Sequence, residues 1–305
     1  MRRCRLQPAI FLALLLPALM PAGAFAAPGE TGFSFLKLGV GARAMALGSA
    51  YVALADDPTA IYWNPAGLAA ISGTQVTAMH NEWIQDFRQE FAAVGARMGP
   101  GTLGVSFSGF YSSEFEKRDD TGILIGHYGF NDIALSGAYA AQVAPGLDAG
   151  LAVRYIREMI DQWDATAFTA DLGARYRLGD TGVSFGAAVQ NLGGDPKFID
   201  ESFKLPATWR VGAAASRSLP SLQGRGTLTA EVRKATADDA HFHAGAEYLY
   251  REHVALRVGG KFGYDDEDVS FGLGLAKDWI HFDYAVIPLS SDLGTTHFFS
   301  LTRVF

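Results

Sequence analysis

Three constellations in this chain carry residue types that could do chemistry. Asp56 and Asp57 are adjacent carboxylates that could share a cation with nearby carbonyls, though calcium asks for about six to eight oxygens. The plainer reading makes Asp57 a helix cap and Asp56 an ion-pair partner for Arg43. His241 and His243 stand two apart and so share one face of a strand, with Glu247 as a third ligand four residues on. No zinc-type motif surrounds them, and an inward-facing hydrogen-bonding pair is the alternative. Gly182-Val183-Ser184-Phe185-Gly186 matches G-x-S-x-G, but no helix follows it. A nucleophile elbow needs a strand-to-helix turn, so these glycines read as strand positions and no catalytic residue is assigned. No metal site and no cofactor is expected.

Composition narrows the setting of these residues. The chain has 305 residues, 35 glycines, 12% aromatics and only 19% charge, with a net charge of −7. The acidic balance and the lack of a basic block argue against nucleic acid as a partner. Residues 1–26 have the form of a signal peptide: Arg2 and Arg3, an apolar run over 9–19, and Ala24-Phe25-Ala26 as a cleavage signal near Ala26. That run is too short to span a bilayer comfortably. The single cysteine, Cys4, falls within this leader, so no disulfide or thiolate metal site is expected beyond it.

From residue 74 onward the chain alternates apolar with small or polar residues, the period of a strand. Fourteen strands are expected, over 74–81, 89–98, 102–111, 130–143, 146–159, 164–178, 182–193, 207–217, 226–234, 240–250, 253–263, 268–276, 279–287 and 295–305. Most match the roughly 9–11 residues of a tilted membrane-crossing strand. One face is greasy, as in Phe168, Leu172 and Tyr176 or Phe271, Leu273 and Leu275. The other carries charge, including Arg154, Asp171, Arg175, Arg210, Glu231 and Arg257. Tight turns alternate with connections that are longer on average, the habit of an up-and-down barrel in an outer membrane. The expectation is therefore all-β: a 14-stranded antiparallel transmembrane β-barrel, residues 74–305, with those charges lining its lumen.

Residues 27–73 are expected to form a small N-terminal plug. Small residues crowd it, among them Gly41, Gly48 and Gly67, and both Asp57-Pro58 and Asn64-Pro65 place a cap before a proline. Such pairs start short helices, expected over 58–63 and 65–69. Arg154, Arg175, Arg210 and Arg257 are expected to hydrogen-bond the plug backbone. Ile123, Leu124, Phe198 and Phe203 sit on long connections, where exposed apolar side chains suit protein or lipid capture. Phe299, Leu301 and Phe305 share a face of the last strand and end the chain on an aromatic, a form read by the barrel-assembly machinery.

Residues 39–68, GVGARAMALGSAYVALADDPTAIYWNPAGL, resemble the amino-terminal signature of the PorV/PorQ family, a branch of the FadL-like outer-membrane proteins. The match runs through Gly41, Arg43, Gly48, Asp56, Asp57, Asn64, Pro65, Ala66 and Gly67, and pieces at 205–212 and 292–297 extend it. The resemblance implies a fourteen-stranded barrel with a luminal hatch, in the outer membrane of a diderm bacterium. It implies no enzyme. It implies a partner-binding role in protein export of the type IX kind, with secretion components or secreted proteins as partners. The alternative is FadL-like transport of long-chain fatty acids or other hydrophobic small molecules.

Overall fold

The structure, a computed structural model, describes residues 31–199, 201–290 and 293–305. The leader at 1–26 and its cysteine lie outside the described residues, as does Asp292 of the 292–297 piece.

Fourteen strands close into one barrel. They are β1 (Thr74–Glu82), β2 (Arg88–Met98), β3 (Gly101–Tyr111), β6 (Phe130–Ala144), β7 (Leu147–Ile160), β8 (Trp163–Arg177), β9 (Val183–Leu192), β12 (Thr208–Leu219), β13 (Gly224–Ala235), β14 (Ala240–Tyr250), β15 (Val254–Phe262), β16 (Val269–Lys277), β17 (Ile280–Pro288) and β18 (Thr295–Val304). Each pairs antiparallel with its sequence neighbour in the barrel, and β18 closes on β1 from Gln75↔Val304 to Glu82↔His297. Closure leaves no unpaired edge, which a sheet in hydrocarbon requires. The expected strands are the observed ones. The largest boundary shift is two residues, at 219 and 224, where β12 and β13 run further into their turn.

Alternation sets the two faces. Phe168 is 74% exposed and Val105 59%, although both are large and apolar. Their neighbours on the opposite face, Thr169 and Gly104, are buried. A barrel inverted in this way, greasy outside and polar within, is built for lipid.

Two small ladders in the long connections are additions to the expected set. β4 (Phe115–Arg118) pairs with β5 (Leu124–Tyr128), and β10 (Lys197–Phe198) pairs with β11 (Glu201–Ser202). The run of charge in 114–120 hid the first. Its base is pinned by aromatic contacts of Phe115 with Phe87, Tyr128 and Phe130 at 5.7–5.9 Å.

The lumen is filled by the segment that precedes β1. It starts at the long-loop rim, where Thr31 bridges to Lys204 and Phe33 packs edge-on against Phe203 at 5.2 Å. It descends through a 3₁₀ turn (Ser34–Lys37), helices Ala42–Ala46 and Ala60–Trp63, and a second 3₁₀ turn (Pro65–Ala70), then enters β1 at the short-turn rim. Pro65–Ala70 starts at its proline with Asn64 as cap, as expected; the other expected helix begins two residues late, at Ala60, after Thr59 and without a side-chain cap, and Ser34–Lys37 and Ala42–Ala46 were not expected. Neither has a side-chain cap, which is the signal a sequence offers.

Candidate functional site

The wall makes room for the plug by leaving out side chains. A Cβ on Gly259 would fall on the Gly48 nitrogen, one on Gly186 on the Val52 carbonyl, and one on Gly150 on the backbone of Pro65. Gly245 and Gly272 admit Leu47 and Ala46 in the same way. On the plug side Gly48 has φ +64°, and a Cβ there would meet the Gly260 nitrogen at 2.7 Å. Backbone therefore lies on backbone, and polar atoms of both surfaces are close enough to bond.

The wall side chains supply those bonds. Ser300 Oγ accepts from the Ala42 amide at 2.8 Å and Ser270 Oγ from the Gly48 amide at 3.1 Å. His243 Nδ1–H donates to the Gly48 carbonyl at 2.6 Å, which leaves Nε2 to accept from the Tyr264 hydroxyl at 3.0 Å. Thr229 and Ser184 donate hydroxyls to the carbonyls of Ala50 and Ala53. Glu231 Oε2 accepts from the amides of both Tyr51 and Val52, each at 2.9 Å. Its Oε1 takes Arg210 Nη1 at 2.5 Å, and the Arg210 guanidinium lies 4.7 Å from the Trp63 ring centroid. Gln190 donates to the Tyr62 carbonyl.

The expected arginine contacts divide. Arg175 reaches the plug backbone, donating to the Ala55 carbonyl at 2.7 Å, with Asp148 as its counter-ion. Arg210 acts on it through Glu231 and Trp63. Arg154 and Arg257 do not bond it. Arg154 is spent on the wall, on Asp171, Asn191 and Ser136. Arg257 pairs with Glu247 at 2.6 Å and Asp283 at 2.6 Å. For these two the partners at hand are on the wall: Glu247 stands directly across from Arg257, and Asp171 lies two residues from Thr169, which faces Arg154. A buried guanidinium is retained only where such a partner stands beside it.

The signature residues sit together at the plug's centre and base. Asn64 Oδ1 accepts from the Ala66 amide at 3.1 Å, capping the turn begun by Pro65, while Nδ2 donates to the carbonyls of Val52 and Ala174. Gly67 lies against the Ala55 carbonyl. Arg43 bonds Asp56 at 2.8 Å and Glu247 at 3.1 Å. Asp57 accepts from the Thr59 amide at 2.8 Å and from the Tyr51 hydroxyl at 2.9 Å. Removal from water, with Asp56 beside it, pushes the Asp57 carboxyl up from its ordinary range. With Glu247 held by Arg43 and Arg257, His243 and His241 have other partners: Gly48 for the first and Asp238 for the second. Ser184 stands in the flat run of β9 and bonds the plug.

Of the loop residues, Ile123 and Leu124 are exposed at the tip of the β4–β5 hairpin, whereas Phe198 and Phe203 turn inward over Phe33 and its neighbours. Phe299, Leu301 and Phe305 face outward, and the Arg303 guanidinium lies over the rings of Trp279 and Phe305 at 4.5 and 4.3 Å. The hydroxyl anchors Thr229, Ser270 and Ser300 were not singled out from sequence. Their inward parity on β13, β16 and β18 was the one signal available.

These features define a transmembrane β-barrel of fourteen strands whose lumen is occupied by its own N-terminal segment. The chain belongs to the Uncharacterised protein family (UPF0164), whose model matches residues 24–191. No curated protein matches it. Among solved structures it is similar to the CymD monoaromatic hydrocarbon channel, at 13% identity over 90% of this chain and 99% of that one, with a TM-score of 0.64. It is similar to a deltaS2 mutant of the TodX monoaromatic hydrocarbon channel, at 14% identity over 87% and 97%, with a TM-score of 0.62. A FadL homologue of Pseudomonas aeruginosa aligns at 12% over 92% and 99%, with a TM-score of 0.53. Identities this low show a shared fold.

Proposed function

We propose that this chain is a non-enzymatic outer-membrane barrel of PorV/PorQ type, a partner-binding component of protein export or surface assembly. In this reading residues 1–26 are removed, 27–73 serve as the hatch and 74–305 as the barrel, with short turns in the periplasm and long loops outside. Phe299, Leu301 and Phe305 present the last strand to the assembly machinery. The observation that carries the reading is a lumen filled by the chain's own N-terminal segment, combined with an exposed apolar hairpin tip. Ile123, Leu124 and Ile125 are 63%, 45% and 57% exposed at the long-loop rim. A lumen occupied in this way leaves the loops as the free surface, and an apolar tip held out by a hairpin marks a contact surface. The test is a pull-down from outer membranes with protein and lipid identification, repeated with Ile123→Asp/Ile125→Asp. A protein partner lost with the tip variant supports the reading. Lipid with no protein partner defeats it.

A second reading is FadL-like transport of fatty acids or other hydrophobic compounds. Under the 34–37 turn, Phe35, Leu36, Leu38 and Phe91 line a cavity of about 20 Å³, room for one water, which would have to widen to admit such a compound. The similar structures named as hydrocarbon channels support this second reading. A hydrophobic compound found by mass spectrometry of purified protein, and displaced by Leu36→Trp, would favour transport over export.

A further inference from the structure

The outer wall between β12 and β15 is not evenly greasy. Register places Ala215 opposite Leu228, Leu228 opposite Ala246, and Ala246 opposite Val258. One row nearer the short-turn rim, Arg217 faces Gly226, Gly226 faces Tyr248, and Tyr248 faces Leu256. Small residues thus form a floor (Ala215, Gly226, Ala246) between tall neighbours. The result is an outward-open groove of about 640 Å³. That lies within the roughly 300–1,000 Å³ of ligand sites. One wall is rigid: the Tyr248 hydroxyl donates to the Leu222 carbonyl at 2.6 Å, and its ring lies against Gly224.

The charge at the groove is one-sided. Glu247 and Arg257 contribute backbone to the floor, but their side chains turn into the lumen and pair there. Arg217 alone presents a charge outward from this lining, at the end nearest the short turns. Among the described residues no side chain pairs with it. A guanidinium at this height meets the headgroup layer, where about 1 kcal/mol per cation favours anionic lipid.

We propose that this groove is a phospholipid site, in which an acyl chain lies along Ala215, Gly226 and Ala246 and the phosphate of a lipid in the short-turn-side leaflet accepts hydrogen bonds from Arg217. The site depends on the barrel spanning a membrane, and on neither reading of its traffic. The groove's depth selects a chain, the guanidinium selects a phosphate, and their spacing along the wall selects a lipid that carries both.

The test is native mass spectrometry of the full-length protein in detergent, titrated with palmitoyl-oleoyl phosphatidylglycerol and with palmitoyl-oleoyl glycerol, which lacks the phosphate. The expected result is one phosphatidylglycerol retained per barrel, with the glycerol bound more weakly. Arg217→Gln should lower phosphatidylglycerol retention about fivefold and leave the glycerol unchanged. Ala215→Leu/Ala246→Leu, which fills the floor without touching the lumen, should abolish retention of both while resistance to SDS unfolding stays at the native level. Equal retention by all variants would mean unselective annular lipid and overturn the proposal. So would a second copy of the chain, or another protein, bound at this face in place of lipid.

Discussion

Glu231 holds two partners that a sheet alone would not bring together. One oxygen takes Arg210 from the neighbouring strand, and the other takes two amides of the plug. Glu231→Ala should leave Arg210 buried and uncompensated, at a cost of about 3–5 kcal/mol. Limited proteolysis of the segment around residue 51 is the measurement, with cleavage rising in the variant and Glu231→Gln intermediate. A steric counterpart is Gly259→Val, which has no room beside Gly48 and should lift the plug. Gly137→Ala has nothing within 4 Å of the added carbon and should leave the protease pattern unchanged. Parity made Glu231 and Arg210 legible as inward-facing charges. Their use was not legible, because it depends on a segment roughly 180 positions away that lands at that height only once the barrel closes. The expectation that Arg154 would bond the plug missed for the same reason: its nearness to Asp171, Asn191 and Ser136 on the wall was invisible without the register.

The β4–β5 hairpin shows the limits of alternation as a signal. Its barrel neighbours alternate over ten residues or more, but this ladder spans four residues against five and is charged on one arm. Its tip depends on Asp119, whose carboxylate accepts from the Thr121 amide and hydroxyl and from the Ile123 amide. The Thr121 hydroxyl first, then the Ile123 amide, hold this carboxyl below its ordinary 3.8. A carboxyl depressed in the ordered state stabilises order fully above its free pKa and loses that effect as pH falls through the lower value. The amide resonances of Thr121 and Ile123 should therefore keep their positions as pH falls to 3.8 and move to free-loop positions only below it. A shift centred above 3.8 would mean that the turn is not held by this carboxylate.

Taken whole, the barrel was the most legible part of the chain and its contents the least. Fourteen strands repeat one pattern, so errors at single residues average out, whereas the plug is a single irregular path with few caps. The native protein should show no steady conductance in planar bilayers. Deletion of residues 27–71 should open a large steady one, since at the glycines that seat the plug no wall side chain reaches into the space it would vacate. A native protein that conducts steadily would mean the plug does not seal. The plug also binds the order of assembly. The Ala42 amide finds its acceptor on Ser300, 258 positions later, and Gly48 rests among residues of β14, β15 and β16. The first piece made thus has its sockets in the last pieces made. A chain halted before β16 would lack the Ser270 and Ser300 acceptors of the plug amides.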